Sequence, residues 1–179
     1  MTSKFSLDHQ SKNYLIISSD IESRYEMVIT KVGEYFDKSI EKVLENPDVM
    51  YVSLPVIDKS GNITSTLSNY ELQMREYGLL DKLDTNRIGN EITIDQIREV
   101  ISFTQISAHK NKKIVILNSA SNMNKEASSA LLKTLEEVSS NCTFILLASS
   151  LNSIAETIIS RCQVLQHERD FEIKNNSNF

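Results

Sequence analysis

The sequence predicts an α/β fold built on a five-stranded parallel sheet with helices on its faces. Three observations point there. Short apolar runs rich in Ile, Val and Leu recur along the chain, as strands buried on both faces of a sheet do. Between them lie longer segments whose apolar residues repeat at three-and-four spacing. Strand and helix signals alternate, which favours parallel pairing through right-handed crossovers.

The strands are Tyr14 to Ile17, Val49 to Ser53, Lys113 to Leu117, Thr143 to Ala148, and the weaker Gln163 to Leu165. Glu22 to Leu44 carries Met27, Val28, Val32, Tyr35, Phe36, Ile40 and Val43, which suits one amphipathic helix or two. Thr93 to Ser107 places Ile94, Ile97, Val100, Ile101 and Thr104 on one face, and Lys125 to Val138 does so with Ala127, Ala130, Leu131, Thr134, Leu135 and Val138. Asn124 is the expected N-cap of the latter helix. Residues 55–92 break the rhythm. They form an elaborated connection, with a hairpin expected near Gly61 in Asp58-Lys59-Ser60-Gly61-Asn62 and a short helix over Tyr70 to Leu80. The organisation read from this is one domain over 1–166 and a polar tail over 167–179, expected to be disordered.

A chain of 179 residues, 40% of them hydrophobic, can bury a core of single-domain size. No apolar run approaches the roughly 20 residues of a membrane helix, and Met1 to Gln10 lacks a signal-peptide pattern, so a cytoplasmic location is expected. The formal net charge of −5 disfavours a dedicated DNA-binding domain acting without partners. Cys142 and Cys162, with His9, His109 and His167, show no metal-ligand spacing, and reduced thiols are expected. No metal or cofactor is implied.

Two stations deserve a chemical reading. A phosphate-binding loop joins a strand to a helix through glycines, whose backbone N–H groups approach the phosphates, followed by Lys and Ser/Thr. After the first strand this chain has Ser18-Ser19-Asp20-Ile21-Glu22-Ser23-Arg24-Tyr25, about the length of that motif but without glycine. Asp20 and Glu22 would repel phosphate, Arg24 stands in the place of Lys, and Tyr25 in the place of Ser/Thr. An ordinary strand-to-helix turn accounts for the segment better than a working nucleotide site. The third strand ends in Asn118 and Ser119, where a magnesium-binding Asp and a water-polarising Glu would stand. Ser119 cannot act as a general base.

The order of these segments resembles the AAA+ module of bacterial clamp loaders, most closely that of the delta-prime subunits of DNA polymerase III. Ala130-Leu131-Leu132-Lys133-Thr134-Leu135-Glu136-Glu137 matches the family's most recognisable run. Asn46-Pro47-Asp48 resembles its His-Pro-Asp motif, and Ile94-Asp95-Gln96-Ile97-Arg98 its Val-Asp-Gln-Ile-Arg element. The four-cysteine zinc module of many members is absent, and Val138 replaces the proline that follows Leu-Glu-Glu.

The resemblance implies an AAA+, P-loop-NTPase-like fold whose nucleotide site is degenerate. Ser18 to Tyr25 stand at its Walker A position, Asn118 and Ser119 at Walker B, and Ser149 and Ser150 at sensor one, the two serines being read first as local backbone partners. Ser160-Arg161-Cys162 stands where the family carries an arginine that reaches a neighbouring subunit's ATP. The implied function is that of a non-hydrolysing component of the DNA polymerase III holoenzyme, without intrinsic ATPase. It would lie beside gamma/tau and delta subunits, with indirect contact to the sliding clamp and primed DNA. Family members continue into a lid and a collar that holds their pentamer, so the alternative is an orphan AAA+-derived interaction module. An active ATPase with an unorthodox site is the further rival, opposed by the missing glycines, Lys and acids.

Overall fold

The computed structural model describes residues 5, 7, 13–79, 88–110, 112–137 and 141–167. Five strands form one parallel sheet: β1 (Tyr14–Ile17), β2 (Val49–Val52), β5 (Lys113–Asn118), β6 (Cys142–Ala148) and β7 (Gln163–Gln166). Their order across the sheet is β2-β5-β6-β1-β7. The five expected strands are present, each within a residue of its expected ends. A separate antiparallel pair, β3 (Pro55–Ile57) with β4 (Ile63–Thr66), is the hairpin anticipated around Gly61. There Asp58 accepts from the backbone N–H of Ser60 and of Asn62, and Gly61 takes the positive φ of 89°.

Alternation along each strand divides the core between two faces. Ile16, Ile114, Ile116, Ile145 and Leu147 pack with Val28, Ile29, Val32 and Phe36 of α1 (Ile21–Phe36). Leu15, Val115, Leu117, Phe144 and Leu146 face the opposite layer. That layer holds Ile97 and Val100 of α3 (Ile94–Gln105), Leu131 and Leu135 of α4 (Lys125–Glu137) and Ile158 of α5 (Glu156–Ile159). Each large aliphatic side chain so buried is worth about 1.5–3 kcal/mol relative to exposure.

The first helix is shorter than the segment Glu22 to Leu44 allows. Asp37 adopts a left-handed conformation, φ 54°, and its N–H bonds back to Glu34 and Gly33. The Lys38 N–H then closes on the Gly33 carbonyl at 2.9 Å. A Cβ on Gly33 would lie 2.8 Å from the Lys38 carbonyl oxygen, so glycine permits this close return of the chain. A single 3₁₀ turn, Ile40–Lys42, follows. α2 (Asn69–Glu76) starts within a residue of the short helix expected over Tyr70 to Leu80, begun by a Ser68–Glu71 capping box, but ends at Glu76, where Gly78 takes a positive φ of 67° just beyond the cap. Asn124 caps α4, its Oδ1 accepting from the Ala127 N–H at 2.9 Å. Val138, Leu80 and residues 168–179, most of the expected tail, lie outside the described residues.

Two of the resemblance motifs act as fasteners. Asp48, 1% exposed, accepts from the backbone N–H groups of His109 and Lys110 at 2.8 and 2.7 Å. Asn46 accepts from the Asp48 N–H at 2.9 Å. The turn entering β5 is thereby tied to the start of β2. Gln96, 3% exposed, donates to the Ser53 carbonyl at 2.8 Å and accepts from the Thr93 N–H, so α3 is clamped to the end of β2.

Candidate functional site

Parallel pairing brings the carboxyl ends of three adjacent strands together, the customary ligand edge of an open α/β sheet. Ile17 lies opposite Ala148, and Asn118 opposite Leu147. Ser18–Tyr25, Asn118–Ser119 and Ser149–Ser150 therefore follow strand ends at one edge of the sheet. Tyr51 and α2 also reach it.

The connection after β1 is shorter than the eight-position motif. Only Ser18, Ser19 and Asp20 separate the strand from α1, and Ile21 is already helical. The expectation of a loop of motif length is thus corrected, and the cause is Asp20. Its carboxylate accepts from the Ser23 N–H at 2.9 Å and starts the helix early. In a phosphate loop the helix N-terminus presents its N–H groups to a ligand; here the protein's own carboxylate takes one of them. Ser18 bonds locally, its Oγ accepting from the Asp20 N–H at 3.2 Å. Ser23 is 2.8 Å from His167 Nε2. Ile21 is buried at 7% exposure, while Ser19 and Glu22 are exposed.

Arg24 does not project into solvent as a phosphate-binding lysine would. It is 3% exposed, and Nη1 donates to the Ser18 carbonyl at 2.5 Å. Burial lowers its pKa, against the opposing influence of Glu76, Asp20 and Tyr51. Tyr25 packs edge-on against Tyr51 with ring centroids 6.0 Å apart. Burial drives the Tyr51 phenol pKa upward, so it stays protonated.

Asn118 is fully buried at the end of β5. Its Nδ2 donates to the Tyr51 hydroxyl at 3.1 Å and to Asn69 Oδ1 of α2 at 3.3 Å. Its Oδ1 has no partner among the described residues. This neutral amide fixes α2 over the edge. Ser119 follows in a left-handed conformation, φ 71°, unusual for a residue with a Cβ. Ser150 accepts from the Asn152 N–H at 3.3 Å and caps a 3₁₀ turn, a local backbone role. Ser149 is exposed beside it.

Ser160-Arg161-Cys162 lies at the other edge. Gln163 pairs with Tyr14 where both strands begin, which puts Arg161 at the amino end of the sheet. Arg161 Nη1 donates to the Thr157 carbonyl at 2.9 Å and to Ser160 Oγ at 3.1 Å. Nη2 meets Glu136 Oε1 of α4 at 2.5 Å, and the two side chains are 36% and 45% exposed. Ser160 Oγ donates to the Thr157 carbonyl at 3.0 Å. Cys162 packs on the α4–α5 core layer, and burial pushes its thiol up to about 12. Cys142 behaves alike, raised to about 12 by burial against the opposing influence of Lys113. Both cysteines are free.

Sequence reasoning missed Glu136, Tyr51 and Asn69 as partners in these clusters. Asp20 was read as a charge repelling phosphate; that it is also the helix cap could have been read from its place before the first apolar turn.

The chain matches a family model described as DNA polymerase III, delta subunit, over residues 68–170. A DNA polymerase III subunit delta' from Haemophilus influenzae is 42% identical over 77 residues, covering 42% of this chain and 24% of that protein. Replication factor C subunit 5 from Neurospora crassa is 30% identical over 141 residues, 78% of this chain and 38% of the relative. The chain thus spans about a quarter to two-fifths of these relatives' lengths. Among solved structures, a DNA polymerase III gamma subunit-related protein from Thermotoga maritima superposes with a TM-score of 0.58 at 19% identity, over 90% of this chain and 42% of that one. That likeness concerns the α/β fold alone. The family model covers more than half of the chain, so the chain belongs to the DNA polymerase III delta subunit family, as a delta-prime-like clamp-loader domain.

Proposed function

We propose that this chain is a non-hydrolysing subunit of the DNA polymerase III clamp loader, working as one domain over 1–166 with 55–92 as its elaboration. It lies beside gamma/tau and delta subunits in the cytoplasm and takes part in loading the sliding clamp onto primed DNA. Its part in the chemistry is to offer Arg161 to the γ-phosphate on a neighbouring ATP-binding subunit. A guanidinium supplied in trans offsets charge in the phosphoryl-transfer transition state.

The observation that carries the reading is the occupation of the nucleotide edge by the protein's own groups. Asp20 takes the Ser23 N–H, Arg24 bonds to the Ser18 carbonyl, and Asn118 presents a neutral amide to Tyr51 and Asn69. Asp20 and Arg24 are thereby spent within the protein, and at Asn118 only a neutral amide oxygen remains where magnesium would take a carboxylate. Arg161, one-third exposed, lies at the opposite, amino edge of the sheet. Family membership supports the assembly, and no described helix is long and apolar enough to cross a membrane.

The test is native mass spectrometry of the chain with gamma/tau and delta subunits of the same organism, with ATP hydrolysis measured on the chain alone. One copy in a stable complex and no hydrolysis are expected. Hydrolysis that depends on Ser18 to Tyr25 would overturn the non-hydrolysing role. No complex at micromolar concentration would favour the orphan interaction module.

A further inference from the structure

Arg161 is restrained from two sides. Its Nη1 bonds to the carbonyl and hydroxyl of its own α5 turn, at Thr157 and Ser160, and its Nη2 meets the Glu136 carboxylate on α4. The pair joins two of the motifs named in the family resemblance, for α4 contains the Ala130–Glu137 run. Glu136 belongs to the last turn of α4, where the helix carbonyls already disfavour a negative charge. Helical stability therefore does not account for a carboxylate at this place. A guanidinium paired with a carboxylate is also a poorer partner for a phosphate, because the carboxylate offsets its charge and would itself repel the anion.

We infer that Glu136 is a positioning residue that parks Arg161 in the free subunit, so that docking requires the guanidinium to exchange this carboxylate for the neighbour's phosphate. The inference rests on the trans-arginine role proposed above. In the unbound chain the parked state predominates, and only the released state engages. The apparent affinity for the neighbour is then reduced by the released fraction, while turnover in the completed complex is not. Because both side chains are partly exposed, the pair is weak and the exchange is readily reversible.

The experiment titrates the full chain into the gamma/tau-type subunit with magnesium–ATP and reads the stimulated hydrolysis. Glu136→Ala is expected to lower the half-saturating concentration roughly two- to fivefold with the plateau unchanged. Raising the salt should shrink the difference, since it screens the wild-type pair. A lower plateau would mean that Glu136 orients Arg161 within the complex, and an unchanged curve would mean that it does neither; each overturns the inference. Thermal melting of the variant checks that it is folded. Arg161→Ala is run in parallel: if it leaves the stimulated hydrolysis intact, the trans-arginine role fails, whatever Glu136 does.

Discussion

Glu136 Oε1 and Arg161 Nη2 meet at 2.5 Å, joining the last turn of α4 to the turn that enters β7. Each belongs to a motif recognisable in the sequence, yet nothing local in either reveals the other. The contact exists because α4 and α5 cover the same face of the sheet, bringing the end of one helix against the end of the other. It should add little to stability. Glu136→Ala is expected to shift the unfolding free energy by less than about 1 kcal/mol, as exposed pairs generally do. Chemical denaturation of the two proteins checks this.

Asp48 should matter far more. Asp48→Ala leaves the partly buried N–H groups of His109 and Lys110 without their acceptor, a loss of about 1–3 kcal/mol. The urea midpoint should fall with the slope unchanged. Burial raises the Asp48 pKa, but the Lys110 and His109 backbone N–H groups and the His109 ring outweigh it, so the folded value lies below the ordinary 3.8. The stabilising contribution is therefore complete above that ordinary value and is lost as the pH falls from there through the depressed folded value. Stability measured across that acid range should decline less steeply in Asp48→Asn than in the wild type.

Gly33→Ala is expected to destabilise, although alanine is the better helix former by about 1 kcal/mol. The added Cβ would stand 2.8 Å from the Lys38 carbonyl oxygen and 3.2 Å from Val43 Cγ2. The turn that ends α1 would have to move, and a net loss of about 1–3 kcal/mol follows. A thermal melt measures it.

Both thiols should resist alkylation in the native protein at neutral pH. Burial pushes Cys142 and Cys162 up to about 12, so the thiolate is scarce and shielded. Iodoacetamide followed by mass spectrometry should find both unmodified until denaturant is added. Rapid native labelling of either would contradict its described packing.

The sheet was the most legible part of the molecule. Continuous apolar runs such as Ile114 to Leu117 bury both faces, which leaves few alternatives to a central parallel strand. The helix ends were harder, because α1 stops where Gly33 and Asp37 allow a backbone return that periodicity does not register. At the candidate site, the residue types at Ser18 to Tyr25 and Asn118 were informative, but their geometry was not. Arg24 looked like a substitute for a phosphate-binding lysine. Its burial against the Ser18 carbonyl follows from the early start of α1 at Asp20, which turns that side chain back under the loop. Asp48 and Gln96 were noted as parts of motifs, while their role as fasteners depends on partners distant in sequence.

The most direct test of the account is the ATPase activity of the gamma/tau-type subunit assembled with this chain carrying Arg161→Ala, compared with wild type. A fall of ~10³-fold in the stimulated rate, with the complex still formed, is the predicted result. An unchanged rate in an intact complex would contradict the central claim that this subunit contributes its arginine in trans.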